Sequence, residues 1–271
     1  MSGSTARTAR PPIAAAHLRT DAWWALPLAV VVVLGSFIVY STWAALQNAH
    51  YYAPPYLSPF YSPCIVRSCA HPTFGGGLPD VALPWLGVVS PALLILWGPG
   101  LFRLTCYYYR KAYYRSFWLS PVACAVPDAQ RRGYTGETRF PLVLQNFHRY
   151  AWYVAVLFIA VLTWDALLAF RFPTPEGGYR LGIGLGTVIM WVNVALLAAY
   201  TFSCHSCRHL CGGYLDVFSR APGRYRLWRL VTRLNERHPL YAWLSLFSVG
   251  LTDLYIRLVS MGVITDPRIL F

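Results

Sequence analysis

The run Leu181-Gly-Ile-Gly-Leu-Gly-Thr-Val-Ile-Met-Trp-Val-Asn-Val-Ala-Leu-Leu-Ala-Ala-Tyr-Thr-Phe-Ser203 leads directly into Cys204-His-Ser-Cys-Arg-His-Leu-Cys211. A membrane-spanning helix needs about 20 apolar residues to cross a hydrocarbon core of about 30 Å, and this run supplies them. Its end packs three thiols and two imidazoles into a few residues. Soft thiolate and borderline imidazole ligands at this density hold zinc, haem iron or an iron–sulfur cluster. Ligands at the mouth of a membrane helix point to electron transfer more than to a structural zinc.

Four other runs have the same apolar character, approximately Ala22 to Leu46, Ala82 to Phe102, Ala151 to Phe170 and Leu240 to Val263. Of the 271 residues, 56% are hydrophobic, 16% aromatic and only 12% charged, which is too apolar for a soluble domain. The expectation is an all-α integral membrane protein with five transmembrane helices, forming one domain over residues 21–271. Residues 1–20 read as a disordered cytoplasmic leader. The run that follows is too long for a signal-peptide core and lacks a clear cleavage site.

A net charge of +13 raises the possibility of a nucleic-acid partner, but its distribution argues against one. Three Arg precede the first run, eight Lys/Arg fall between the second and third, and seven between the fourth and fifth. The alternate segments hold only Arg67, Arg171, Arg180 and Arg268, while Arg257 lies inside the fifth run. This bias places the N-terminus in the cytoplasm and the C-terminus outside a multi-pass cell-membrane protein. The basic face then meets lipid headgroups and any soluble partner. With so little chain outside the bilayer, an anchor, channel or electron conduit is the expected class.

Topology sorts the seven cysteines. Cys64 and Cys69 lie in an exported loop rich in Pro, Tyr and Gly, where a close pair forms a disulfide that pins the loop. Cys69-Ala70-His71 also resembles half of a Rieske ligand pair. Cys106, Cys124, Cys204, Cys207 and Cys211 lie at the cytoplasmic edge, together with His148, His205, His209 and His238. Convergence of several segments at one depth is how helix bundles build cofactor sites. If the fourth helix continues unbroken, Cys204, Cys207 and Cys211 fall within about 60° of one another, whereas His205 and His209 lie about 100–140° from Cys204. One helix then cannot supply all four ligands, and His148 or His238 replaces an imidazole. Structural zinc, bis-histidine haem b and a Rieske-type 2Fe–2S cluster all stay open on spacing alone. Cys207-Arg208-His209 provides only the first half of the usual Rieske signature.

Several long strings carry a family resemblance: Tyr56-Leu-Ser-Pro-Phe-Tyr-Ser-Pro-Cys64, Thr105-Cys-Tyr-Tyr-Tyr-Arg-Lys-Ala-Tyr-Tyr-Arg115, Gly136-Glu-Thr-Arg-Phe-Pro141, Ser203-Cys-His-Ser-Cys-Arg-His209 and Thr265-Asp-Pro-Arg268. From about residue 20 onward the chain resembles the actinobacterial succinate dehydrogenase membrane anchor of the haem-free, single-anchor type. The resemblance implies a subunit of respiratory complex II that does not itself oxidise succinate. It implies flavoprotein and iron–sulfur partner subunits, and a membrane-embedded Rieske-type 2Fe–2S cluster that passes electrons to quinone. A haem b anchor is the alternative within that function. A small transporter, or a structural scaffold with zinc, is the alternative from another class, although the absence of an evident internal repeat weighs against a transporter.

Among ligands the reading favours Cys204 and Cys207, then Cys124 and Cys106, with His205 and His209 ahead of His148 and His238. Arg110, Arg139 and Trp118, in an aromatic–basic concentration near the inner edge, are candidates for quinone binding, although Tyr, Trp and Arg at that depth also form an interfacial belt. Asp165, Asp253 and Arg257 lie within spans, where ionisable groups are paired or functional. A charge lock between helices and a proton route are both open for them.

Overall fold

The computed structural model describes residues 20–69, 77–84, 87–124, 126, 138–140 and 142–271. The expected leader (apart from Thr20), His71, and Gly136, Glu137 and Pro141 of the third string lie outside these. In chain order the elements are α1 (Ala25–Gln47), β1 (Tyr52–Ala53), β2 (Tyr56–Leu57), β3 (Ala82–Leu83), β4 (Gly87–Val88), α2 (Pro91–Ile95), α3 (Trp97–Thr105) and α4 (Tyr107–Ser116). They continue with α5 (His148–Leu168), β5 (Arg171–Pro173), β6 (Tyr179–Gly184), α6 (Leu185–Phe202), α7 (His205–Gly212), α8 (Pro222–Glu236), α9 (His238–Ser260) and β7 (Arg268–Leu270). Short 3₁₀ turns at Leu142–Phe147 and Phe218–Arg220 complete the list.

Contacts divide the chain into two units, residues 1–35 with 107–135, and residues 36–106 with 136–271. In the first, α4 is a ladder of aromatics. The Arg110 guanidinium lies over Tyr107, 4.3 Å from its ring centre, and Trp118 stacks on Tyr114 at 4.5 Å. The second unit contains the helix bundle.

Among the described residues four helical stretches are long and apolar enough to cross a membrane: Ala25–Gln47, Leu142–Leu168, Leu185–Phe202 and His238–Ser260. Such helices satisfy their backbone groups internally, as a bilayer demands. Their outward positions are apolar and exposed, as at Leu157 and Leu251. The run from Ala82 to Phe102, expected as one span, behaves differently. Its first part is the β3–β4 hairpin, and helix begins only at Pro91, a residue whose fixed φ and missing N–H suit a first turn. Pro99 cannot donate to the Ile95 carbonyl, and α2 stops at Ile95. The start of the expected fourth span is likewise strand, so the all-α expectation needs three small antiparallel sheets added.

In the second unit α6 packs on both α5 and α9, and α3 packs on α5. The α3–α5 approach depends on Gly98: a Cβ there would meet Val154 at 2.9 Å and Phe158 at 3.1 Å. At one end of the bundle lies the sheet β5-β6-β7, in which β6 pairs with both neighbours. The loop between α1 and β3 is plugged into the bundle near that end, with Tyr56, Ser58, Tyr61, Ser62 and Cys64 buried. Cys64 and Cys69 form the expected disulfide, their Cα atoms 6.0 Å apart. Tyr61 donates to the Ala44 carbonyl at 2.8 Å, and Tyr56 donates to Asp266 at 2.7 Å.

The three intramembrane charges belong to this plug. Ser62 donates to Asp165 and Ser58 to Asp253, so the loop is tied to α5 and α9. Asp253 also accepts from Tyr40 at 2.6 Å and from Arg257 Nε at 2.7 Å. The terminal nitrogens of Arg257 donate to Gln47 Oε1 and to the carbonyls of Ala49 and Ala44 at 2.6–2.9 Å.

Candidate metal centre

The other end of the bundle brings together the end of α3, the start of α5, the end of α6 and the start of α9. Cys106 and Cys204 occupy equivalent places there. Each interrupts two consecutive helices in extended backbone, at φ −65°, ψ 129° for Cys106 and φ −63°, ψ 144° for Cys204. These turns out of the helix, after α3 and after α6, swing each thiol away from the direction that a continuing helix would give it.

His148 and His238 are the first residues of α5 and α9. His148 Nε2 lies 3.0 Å from Cys204 Sγ, and His238 Nε2 lies 3.4 Å from Cys106 Sγ. On the opposite edge of each ring, His148 Nδ1 is 2.8 Å from Thr105 Oγ1 and His238 Nδ1 is 2.7 Å from Ser203 Oγ. Phe102 stacks on His148 at 5.1 Å and Tyr200 stacks on His238 at 5.0 Å. Asn235 of α8 donates to the Ser203 carbonyl at 2.7 Å and steadies that corner.

His205 stacks against His148 at 5.3 Å, and one ligand atom from each of His148, Cys204 and His205 lies within 4.8 Å of the others. Burial pushes the Cys204 thiol up to about 12, and the neighbouring Cys106 adds to this. A thiol so placed becomes a thiolate only beside a compensating cation. Loss of solvent from the inner face of the His205 ring, helped by His209 and Arg149, lowers its pKa below the usual imidazole value.

The other candidates fall elsewhere. Cys207 is buried, with its thiol against Cys211, and its pKa is also pushed up to about 12 by burial first and Cys211 second. His209 is exposed, its Nδ1 3.1 Å from an Arg149 nitrogen. Cys124, Arg110 and Trp118 belong to the other unit, and Arg139 is exposed. Asp165, Asp253 and Arg257 lie at the plug, about 22–29 Å along their helices from the centre at 1.5 Å per residue.

The sequence reading passed over Thr105, Ser203, Phe102, Tyr200 and Arg103. The signal for the first four was a repeated string, Phe102-x-x-Thr105-Cys106 and Tyr200-x-x-Ser203-Cys204. Beside the stacked rings lies a cavity of about 180 Å³. It is lined mostly by apolar side chains with Phe102, Tyr200, Arg103, Ser41 and Thr201 on its wall. Arg103 lies 4.8 Å from the Tyr200 ring centre and donates to Ser245 Oγ at 3.0 Å and to the Ala242 carbonyl at 3.2 Å.

Apolar helices long enough to span a membrane and a buried cluster of thiols and imidazoles at one end of the bundle define a membrane-integral protein with a candidate metal centre. The chain belongs to the family described as actinobacterial succinate dehydrogenase subunit SdhC, whose model matches residues 25–262. It is similar to a chain of the Mycobacterium smegmatis Sdh1 complex in the apo form, with 49% identity, a TM-score of 0.85, and coverage of 97% of this chain and 96% of that one. No curated protein matches it. The protein is thus a membrane-anchor subunit of succinate dehydrogenase, an oxidoreductase, as the sequence strings implied.

Proposed function

We propose that this subunit carries electrons from an iron–sulfur partner to quinone, with Cys106, Cys204, His148 and His238 holding a Rieske-type 2Fe–2S centre. The observation that carries the reading is the donor set: two thiols and two imidazoles, from four segments, with each histidine Nε2 aimed at a sulfur. Two sulfur and two nitrogen donors are what such a centre takes. Bound there, it supplies one-electron redox chemistry at a potential above that of an all-thiolate cluster.

Haem b is disfavoured because each Nε2 is already within 3.4 Å of a thiol, and the His148 ring is covered on its faces by Phe102 and His205. The same four donors suit zinc, so metal identity is the test. The positive-inside bias supports an N-terminus in the cytoplasm, with α2 and α3 together as a short fifth crossing and the centre at the cytoplasmic edge. There it faces the basic inner segments to which soluble flavoprotein and iron–sulfur partners dock. The cavity beside Phe102 and Tyr200 supports a quinone head group bound next to the centre, with Arg103 on its wall. A dry cavity of about 150 Å³ accepts benzene, so this one has room for a single ring.

The test is metal analysis and low-temperature EPR of the purified, reduced complex. Replacing Cys106, Cys204, His148 or His238 by Ala is expected to remove a Rieske-like signal, while Cys207→Ser and His209→Ala retain it. Zinc without iron in this subunit, or a haem Soret band with no such signal, overturns the proposal.

A further inference from the structure

Each histidine of the centre is held by a hydroxyl whose own proton is already committed. Thr105 Oγ1 donates to the Leu101 carbonyl at 2.7 Å, and Ser203 Oγ donates to the Tyr200 carbonyl at 3.1 Å. A carbonyl oxygen only accepts, and a hydroxyl has one proton to give. Toward the imidazole, therefore, both hydroxyls act as acceptors, and Nδ1 of His148 and of His238 must carry the hydrogen. The bare lone pair is then left on Nε2, the atom that faces the thiols.

The arrangement occurs twice with its parts exchanged. The α3 end contributes Phe102, Thr105 and Cys106, and the α6 end contributes Tyr200, Ser203 and Cys204. In each half the aromatic ring and the hydroxyl, three residues apart, grip one histidine by its face and its Nδ1. The cysteine of that half meets Nε2 of the other half's histidine. Neither hydroxyl is exposed, Thr105 at 1% and Ser203 at 0%, so water does not replace them.

We infer that Thr105 and Ser203 are paired positioning residues that lock His148 and His238 in the tautomer presenting Nε2 to the metal, and that their acceptance from Nδ1–H makes both imidazoles stronger ligands. The inference rests on the proposed centre. Groups in this role commonly change metal affinity 10- to 100-fold when removed.

The test uses the intact complex purified in detergent with Thr105→Val and Ser203→Ala, which keep approximate shape but cannot accept, and with Thr105→Ser and Ser203→Thr, which can. Iron retained after a chelator challenge and the midpoint potential from redox-poised EPR are read for each. The expected result is 10- to 100-fold weaker iron retention and a raised potential in the Val and Ala forms, with both restored in the Ser and Thr forms. Val and Ala forms with the parent's potential, spectrum and iron retention overturn the inference. So does failure of the hydroxyl-bearing forms to assemble in step with the Val and Ala forms, because a retained acceptor should rescue. A parent complex without iron in this subunit overturns instead the redox function beneath it.

Discussion

Replacing Asp253 by Asn separates a charge lock from a proton route. In the parent, Asp253 is 0% and Arg257 1% exposed, and the carboxylate accepts from Arg257, Tyr40 and Ser58. An amide of the same shape keeps an acceptor for only one of the two hydroxyls, which donate to different carboxylate oxygens, and it leaves a buried guanidinium without its counter-charge. Removing one member of a buried ion pair costs about 3–5 kcal/mol. For a chain of this size that lowers the unfolding midpoint by on the order of 10 °C. Removing both charges, Asp253→Asn with Arg257→Met, eliminates the uncompensated charge and takes the Arg257 donor from Gln47 Oε1 and the Ala49 carbonyl, while the Ala44 carbonyl keeps the Tyr61 hydroxyl. The double variant should therefore be no less stable than the worse single one, an interaction of at least about 1 kcal/mol in a double-mutant cycle. The assay pairs thermal unfolding of the purified complex with quinone turnover per assembled complex. The lock predicts a lower midpoint and unchanged turnover in complexes that have assembled. An Asp253→Asn complex with the parent's midpoint and no turnover would refute it and make Asp253 part of a proton path.

Removing the disulfide with Cys64→Ser and Cys69→Ser opens a loop of sequence separation 5, so stability should fall by about 2 kcal/mol on the chain-entropy account, read as the shift in unfolding midpoint with and without reductant. Gly98→Val forces a side chain into the 2.9 Å approach of Val154; it should cost about 1–3 kcal/mol and, by shifting α3, reduce iron content through displaced Cys106 and Thr105. An unchanged iron content in that variant would show that α3 is not what positions this half of the centre. Ala155→Leu fills the cavity beside Phe102 and Tyr200 and should raise the KM for quinone several-fold while leaving the EPR signal alone. Loss of the signal together with turnover would place the defect in the centre rather than in the cavity.

The parts of this molecule that were legible in sequence are those in which one physical force acts alone. Continuous apolar runs with no proline beyond a first turn, where Pro27 of α1 sits, became α1, α5, α6 and α9 with ends shifted by a few residues, because burial of apolar surface in lipid is decided locally. The run Ala82–Phe102 has the same average hydrophobicity, but Pro91 and Pro99 remove backbone donors, and hydrogen bonding overrides hydropathy there. For the candidate centre, the density of thiols and imidazoles drew attention to the end of the bundle where His148, Cys204 and His205 meet, and helical spacing indicated a shortage of ligands on one helix. Treating residues 203–211 as a continuation of the span set the directions of Cys207 and His209 by helical spacing, whereas the backbone turns out of the helix at Cys204. That kink is set by contacts distant in sequence, with Asn235 holding the Ser203 carbonyl and His238 holding its hydroxyl. No periodicity in the span encodes those contacts. What the chain did encode was the recurrence of an aromatic, a hydroxyl and a thiol at Phe102, Thr105, Cys106 and again at Tyr200, Ser203, Cys204. A repeat of five residues is too short to stand out among 271 until two histidines show why it occurs twice.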